Sequence, residues 1–188
     1  MKVKYKQSKL ILFLDIVLLA ILCACDQLCK YWAVEKLKDK DSYILIKDVF
    51  VFHYLENRGA AFGMFQNQKW FFVIIGTIFV VVAAFGLIYI PTAKKYRALR
   101  ACILFIASGA IGNIIDRVSL DYVIDFLYFE YINFPIFNVA DIYVTCGTVV
   151  LILLILFYYK EADLNFKEAR MVKVHTSMIN KEDREADE

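Results

Sequence analysis

The sequence predicts an integral membrane α-helical fold, four transmembrane helices with a small extracytoplasmic β-cradle. Composition, the length of the apolar runs and the placement of basic residues each point that way. The 188 residues are 61% apolar and 16% aromatic, well above the roughly half apolar content of a soluble domain. Four stretches approach the ~20 mostly apolar residues that cross a hydrocarbon core. Lys and Arg gather in alternate connections, the asymmetry of a multi-pass chain. A net charge of only +2 provides no basic excess for a nucleic-acid partner.

The first span runs from about Leu10 to Cys25 and carries Asp15. It is short, but in lipid only a helix satisfies its own backbone, so it is read as a helix. Its basic start and Leu22-Cys23-Ala24-Cys25 imitate a cleavable signal ending in a lipid-accepting Cys; three further spans are odd cargo for such an anchor. Cys23, Cys25, Cys29, Cys102 and Cys146 are an odd number, nearly all in apolar runs, and are read as packing residues. In the long connection 26–69, SYILIKDVFVFHYLEN is rich in Ile, Val, Phe and Tyr and reads as one or two short strands before the turn-like RGAAFG. The other spans run from about Trp70 to Ile90, Ala98 to Ile115 and Val139 to Tyr159.

Orientation follows from the short flanks. Lys2, Lys4, Lys6 and Lys9 precede span one; Lys94, Lys95, Arg97 and Arg100 follow span two; Lys160 opens the tail; the connection after span three has only Arg117. Both termini and the middle connection are therefore expected in the cytoplasm, with 26–69 and 116–138 outside. Residues 1–160 form the expected membrane domain. The charged tail 161–188, ending KEDREADE, is expected to be a solvated or frayed helix without catalytic role.

This topology brings Asp26, Lys30, Asn113, Asp116, Arg117, Asp125, Asn138 and Asp141 to one level, the outer membrane boundary. Ionisable groups at membrane depth are costly, so such a cluster is a candidate site. Plainer readings stand beside this one. Asp26 and Lys30 have the spacing of a helical ion pair, and Asn138 with Asp141 that of a capping pair. Asp116 beside Arg117 reads as a local salt bridge, and Gly109 and Gly112 as small-residue helix contacts. Asp125, in the apolar run YVIDFLYF, is a desolvated carboxyl that holds its proton tightly. A second, ionised acid close by would complete a carboxylate dyad. In such a pair one member activates water while the other hydrogen-bonds the scissile carbonyl. His53 and His175 fall on opposite sides of the membrane, Ser108 and Ser119 have no supported partner, and the zinc motif His-Glu-x-x-His is absent.

DQLCKYWA (26–33), ENRGAAFGMF (56–65), SGAIGNIIDRV (108–118), YVIDF (122–126) and FNVADIYVTCG (137–147) resemble, in order and spacing, the blocks of bacterial lipoprotein signal peptidase, or signal peptidase II. The resemblance covers roughly residues 10–160. It implies a four-helix fold with an outer β-cradle in the bacterial cytoplasmic membrane, cleaving diacylglyceryl-modified prolipoproteins just before the lipidated Cys. It places the catalytic aspartates on Asp125 and Asp141, with Asp116 as a supporting element. Asp26, Lys30, Asn57, Gly59, Gly109, Asn113, Arg117 and Asn138 carry over as substrate-positioning or supporting residues. Implied partners are prolipoproteins, membrane lipid and globomycin-like cyclic peptide inhibitors; no metal or organic cofactor is implied. The chain departs from the family at Asp121, where Gly is common a few residues before the first catalytic Asp, and in its longer tail.

Two other classes remain: a proton-conducting protein using Asp15, Asp125 and Asp141, and a structural membrane subunit. The first predicts acids spread through the depth of the membrane, and the second leaves the co-located acids without a role.

Overall fold

The computed structural model describes residues 8–59 and 64–164. The chain is an integral membrane helical protein: among the described residues, four helices are long and apolar enough to cross a membrane, and a three-stranded sheet sits at one end of the bundle. Most of RGAAFG, the tail beyond 164 and the N-terminal lysines before Ser8 lie outside the described residues.

Helix α1, Lys9–Leu37, starts at Ser8, whose hydroxyl accepts from the Ile11 amide. Its 29 residues span ~43 Å at 1.5 Å each, longer than the ~30 Å hydrocarbon core. Leu22, Asp26, Lys30, Ala33 and Leu37 form its buried stripe at helical spacing. The helix therefore continues well past Cys25, through residues that by sequence fall in the outer connection. Its charged last turns imitate a loop, but Ala33 and Leu37 are held in one apolar core with Ile124, Phe126 and Leu127 of the sheet.

The sheet has the order β1-β2-β3, with β1 (Tyr43–Ile46) and β2 (Phe50–Asn57) antiparallel, and β2 antiparallel to β3 (Val123–Phe129). Trp32 of α1 sets its ring edge-on to Phe52 and Phe126, so the sheet rests on the projecting turns of α1.

Helix α2, Lys69–Tyr89, buries no residue fully, as a helix facing lipid does. Helix α3, Arg97–Leu120, is the central one, burying residues from Leu99 to Asp116. It ends at Asp121, whose φ of 71° is left-handed and whose amide returns to the Arg117 carbonyl. This is the backbone shape glycine takes freely and Asp tolerates. Helix α4, Val139–Leu153, opens on a capping box between Asn138 and Asp141. It runs into a π turn, Leu154–Tyr158, and the short α5, Glu161–Leu164.

Candidate active site

Asp125 and Asp141 reach one cavity from different elements. Asp125 lies on β3 and is 1% exposed. Asn57 pairs with Val123 across the sheet, which makes it the diagonal same-face neighbour of Asp125. Asn57 Nδ2 donates to Asp125 Oδ2 at 2.8 Å, and Asn138 Nδ2 to Asp125 Oδ1 at 2.6 Å. Asp141 is the third residue of α4. The Asn138 amide donates to its Oδ2 at 3.1 Å and Asn113 Nδ2 to its Oδ1 at 2.8 Å. Capping and membership of the polar cluster are thus compatible for Asp141: it closes the helix start and also lines the cavity.

The orientation of all three asparagine amides is dictated by groups that only donate. Asn57 Oδ1 accepts from the Gly59 amide at 2.9 Å, and Asn138 Oδ1 from the Asp141 amide at 3.0 Å. Asn113 Oδ1 accepts from Lys30 Nζ at 3.0 Å and Asn138 Nδ2 at 3.1 Å. Each amide nitrogen is left facing a carboxylate.

Behind them lies a buried charge cluster. Lys30 Nζ sits 3.0 Å from Asp26 and 2.8 Å from Asp116, all three nearly without solvent. The remaining carboxylate capacity is filled: Asp26 accepts from the Ala140 amide at 2.9 Å and Asp116 from the Ile124 amide at 3.2 Å. Gln27 Nε2 lies 3.2 Å from Asp26, 3.1 Å from Asp116 and 3.3 Å from the Gly112 carbonyl. Asp116 therefore pairs across helices with Lys30, not with its neighbour Arg117, because consecutive helical residues point about 100° apart and do not face each other. Arg117 instead stacks over Phe72 at 4.6 Å and donates to the Gly59 carbonyl at 3.1 Å.

The electrostatics separate Asp125 from an ordinary acid. Burial first, and then the Asp141 carboxylate, push its pKa up to about 7, against the opposing pull of the Asn57 and Asn138 amides and Lys30. Lys69 pairs with Asp121 at 2.6 Å and holds that exposed carboxyl below the usual range.

The cavity beside the two acids is about 500 Å³. Asn57, Gly59, Asn113, Arg117, Asp125 and Asp141 line it, while Phe72, the stretch Phe134–Phe137 and Ile142 make an apolar wall. Asn138, Asp26 and Lys30 stand behind it, fully or almost fully buried. Gly109 lies deeper on α3, where a Cβ would strike the Ala140 carbonyl and Val144 of α4. His53 bonds Ser42, and the Ser108 hydroxyl donates to the Phe105 carbonyl. Gln27 and the wall around Pro135 were not legible as site residues. An uncharged amide one position from Asp26 carries no signal of its own, though the aromatic run around a lone Pro in FPIF is a usable hint.

Paired acids on an apolar cavity at the end of a membrane bundle invite comparison with known proteins. A family model described as Signal peptidase (SPase) II matches residues 18–157. The chain belongs to the signal peptidase II family. Among signal peptidase II relatives, the lipoprotein signal peptidase of Clostridioides difficile (strain 630) is 43% identical over 145 residues, covering 77% of this chain and 96% of that protein. That of Clostridium tetani (strain Massachusetts / E88) is 40% identical over 146 residues, covering 76% and 92%. A bacterial membrane enzyme structure obtained by the in meso method at 2.3 Å superposes with a TM-score of 0.70 at 28% identity, covering 85% of this chain and 98% of that one. All five sequence blocks, and every residue of the site described above, fall within the part matched to signal peptidase II.

Proposed function

We propose that this chain is a membrane aspartic endopeptidase that removes the signal peptide from diacylglyceryl-modified prolipoproteins, cutting just before the lipidated Cys. The observation that carries the reading is the pair Asp125 and Asp141, bridged by Asn138 and set on a cavity with an apolar wall. Family membership adds the substrate class. Residues 1–160 act as the peptidase domain, with both termini cytoplasmic and the site at the outer face. A signal helix lying beside the bundle then presents its C-terminal end to the two acids, while the diacylglyceryl chains stay in lipid.

Asp125 enters as the acid and Asp141 as the base. Asp141 takes a proton from water as its oxygen bonds to the scissile carbonyl carbon, and the Asp125 proton moves to the carbonyl oxygen. The tetrahedral diol then collapses. Asp141 gives its proton to the leaving nitrogen as the C–N bond breaks, and Asp125 recovers a proton from the diol. The pair ends as it began, and no covalent enzyme intermediate forms.

The test is cleavage of a diacylglyceryl-modified prolipoprotein by purified enzyme in detergent. Asp125→Asn and Asp141→Asn are expected to lose about 10²- to 10⁴-fold in kcat, the range of general acid–base catalysis. Asp121→Asn, at an exposed position, should retain activity. Full activity in Asp125→Asn, or no cleavage by folded wild type, would overturn the reading.

A further inference from the structure

We infer that Lys30 is a positioning residue for the dyad: its ammonium fixes the Asn113 amide with the nitrogen toward Asp141. The inference rests on the dyad reading above and goes beyond it by giving the buried charge cluster a task in the reaction. An amide at this place has two orientations. With its nitrogen toward Asp141 it donates to the carboxylate; turned over, it would set an oxygen against it. Its neighbours decide the matter. Lys30 Nζ, 3.0 Å from Asn113 Oδ1, can only donate, so the turned amide would face nitrogen to nitrogen on one side and oxygen to oxygen on the other. Asn138 Nδ2, the second donor to that oxygen, also donates to Asp125. The Asn113 amide is thus linked to both acids, to Asp141 directly and to Asp125 through Asn138.

The ammonium is held in turn. Asp26 and Asp116 grip it from α1 and α3, and Gln27 spans both carboxylates. Their other contacts run to the Ala140 amide at the start of α4 and the Ile124 amide beside Asp125. A merely structural ion pair needs no contact with Asn113; Lys30 spends one of its three donors there.

Cleavage of a diacylglyceryl-modified prolipoprotein by the full-length enzyme tests this through a double-substitution cycle. Lys30→Met and Asn113→Ala are each expected to lower kcat about 10- to 100-fold, the range for a lost hydrogen bond to a charged group, with KM changed less than about threefold. Together they should lose little more than either alone, because both remove one oriented donor. Asn113→Asp covers the case in which Lys30→Met fails to fold. It keeps an oxygen partner for Lys30 but sets an oxygen against Asp141 in place of the donor, so a kcat loss at least as large is expected. Multiplying losses in the double variant, losses confined to KM, or near wild-type kcat in Asn113→Asp would each overturn the role given to Lys30. Wild type and Asp125→Asn, run alongside, separate this failure from failure of the peptidase reading: in the first case wild type still cleaves and Asp125→Asn does not.

Discussion

Two carboxyls of one kind are set apart by where their chain segments end. Asp141 takes its place from a helix start, where the Asn138 amide and Asn113 Nδ2 donate to its two carboxyl oxygens. Asp125 takes its place from a strand whose Ile124 and Phe126 pack on the end of α1 while Asp125 itself turns toward the cavity, and burial holds its proton up to about 7. The sign follows: the folded enzyme keeps Asp125 protonated well above the usual carboxylate range and loses that proton as pH rises through about 7. Since the proposed reaction needs the proton on Asp125, kcat against pH should fall on the alkaline side from about pH 7, with an apparent value that belongs to the pair. A profile flat to pH 9 would contradict the acid role. At this scale the sequence was informative for Asp125, because a lone acid inside YVIDFLYF has no bland explanation. It was less so for Asp141, where cap spacing accounts for the residue equally well. The pairing of Lys30 with Asp26 was legible from its helical spacing and is present, whereas its pairing with Asp116 was hidden, since it joins segments 86 positions apart and only the fold brings them together.

Among the elements, α3 carries the bundle because small residues let its neighbours approach. A Cβ on Gly109 would collide with the Ala140 carbonyl and lie 2.7 Å from Val144, while one on Gly112 would meet the Asp26 carboxylate. The Gly109 contact is to backbone and cannot turn aside. Gly109→Ala should push the start of α4, with Asn138 and Asp141, away from α3, costing about 1–3 kcal/mol as overpacking and lowering kcat with it. Gly86→Ala is the matched control: its Cβ would find Ile103 only at an ordinary 3.8 Å, so thermal stability should hold or rise slightly. Equal effects of the two would remove close packing at Gly109 as the cause. Helices α2, α3 and α4 were legible as apolar runs of membrane length, whereas the extension of α1 and strand β3 were not. The far turns of α1 read as a charged loop because their partners lie in the sheet, and β3, buried at successive positions, lacks the polar and apolar alternation that marks a strand.

At the scale of the whole molecule, the buried ionisable groups among the described residues divide between the two ends of the bundle. At the end away from the sheet, Asp15 of α1 pairs with Arg100 of α3, whose Nη1 also donates to the Leu87 and Ile90 carbonyls closing α2, at 2.8 and 2.9 Å. Three helices are tied by one guanidinium. Below it Tyr96 stacks on Tyr159 at 5.8 Å, and each hydroxyl bonds a backbone carbonyl across the bundle end. Asp15 is thus committed to a helix-joining ion pair, which speaks against the proton-relay alternative and assigns this end to assembly. Breaking such a pair on one side leaves a buried charge unmatched, at a cost of about 3–5 kcal/mol, whereas replacing both partners by apolar residues can be nearly neutral. Asp15→Leu alone should therefore lower the thermal unfolding midpoint of the purified enzyme sharply. Asp15→Leu with Arg100→Met should recover most of the loss, and cleavage per folded molecule should stay within about twofold of wild type in both. A double variant no more stable than the single would mean that the ties from Arg100 to the end of α2, not the ion pair, hold the helices together. A large kcat loss in the stable double variant would show that the two ends are coupled after all.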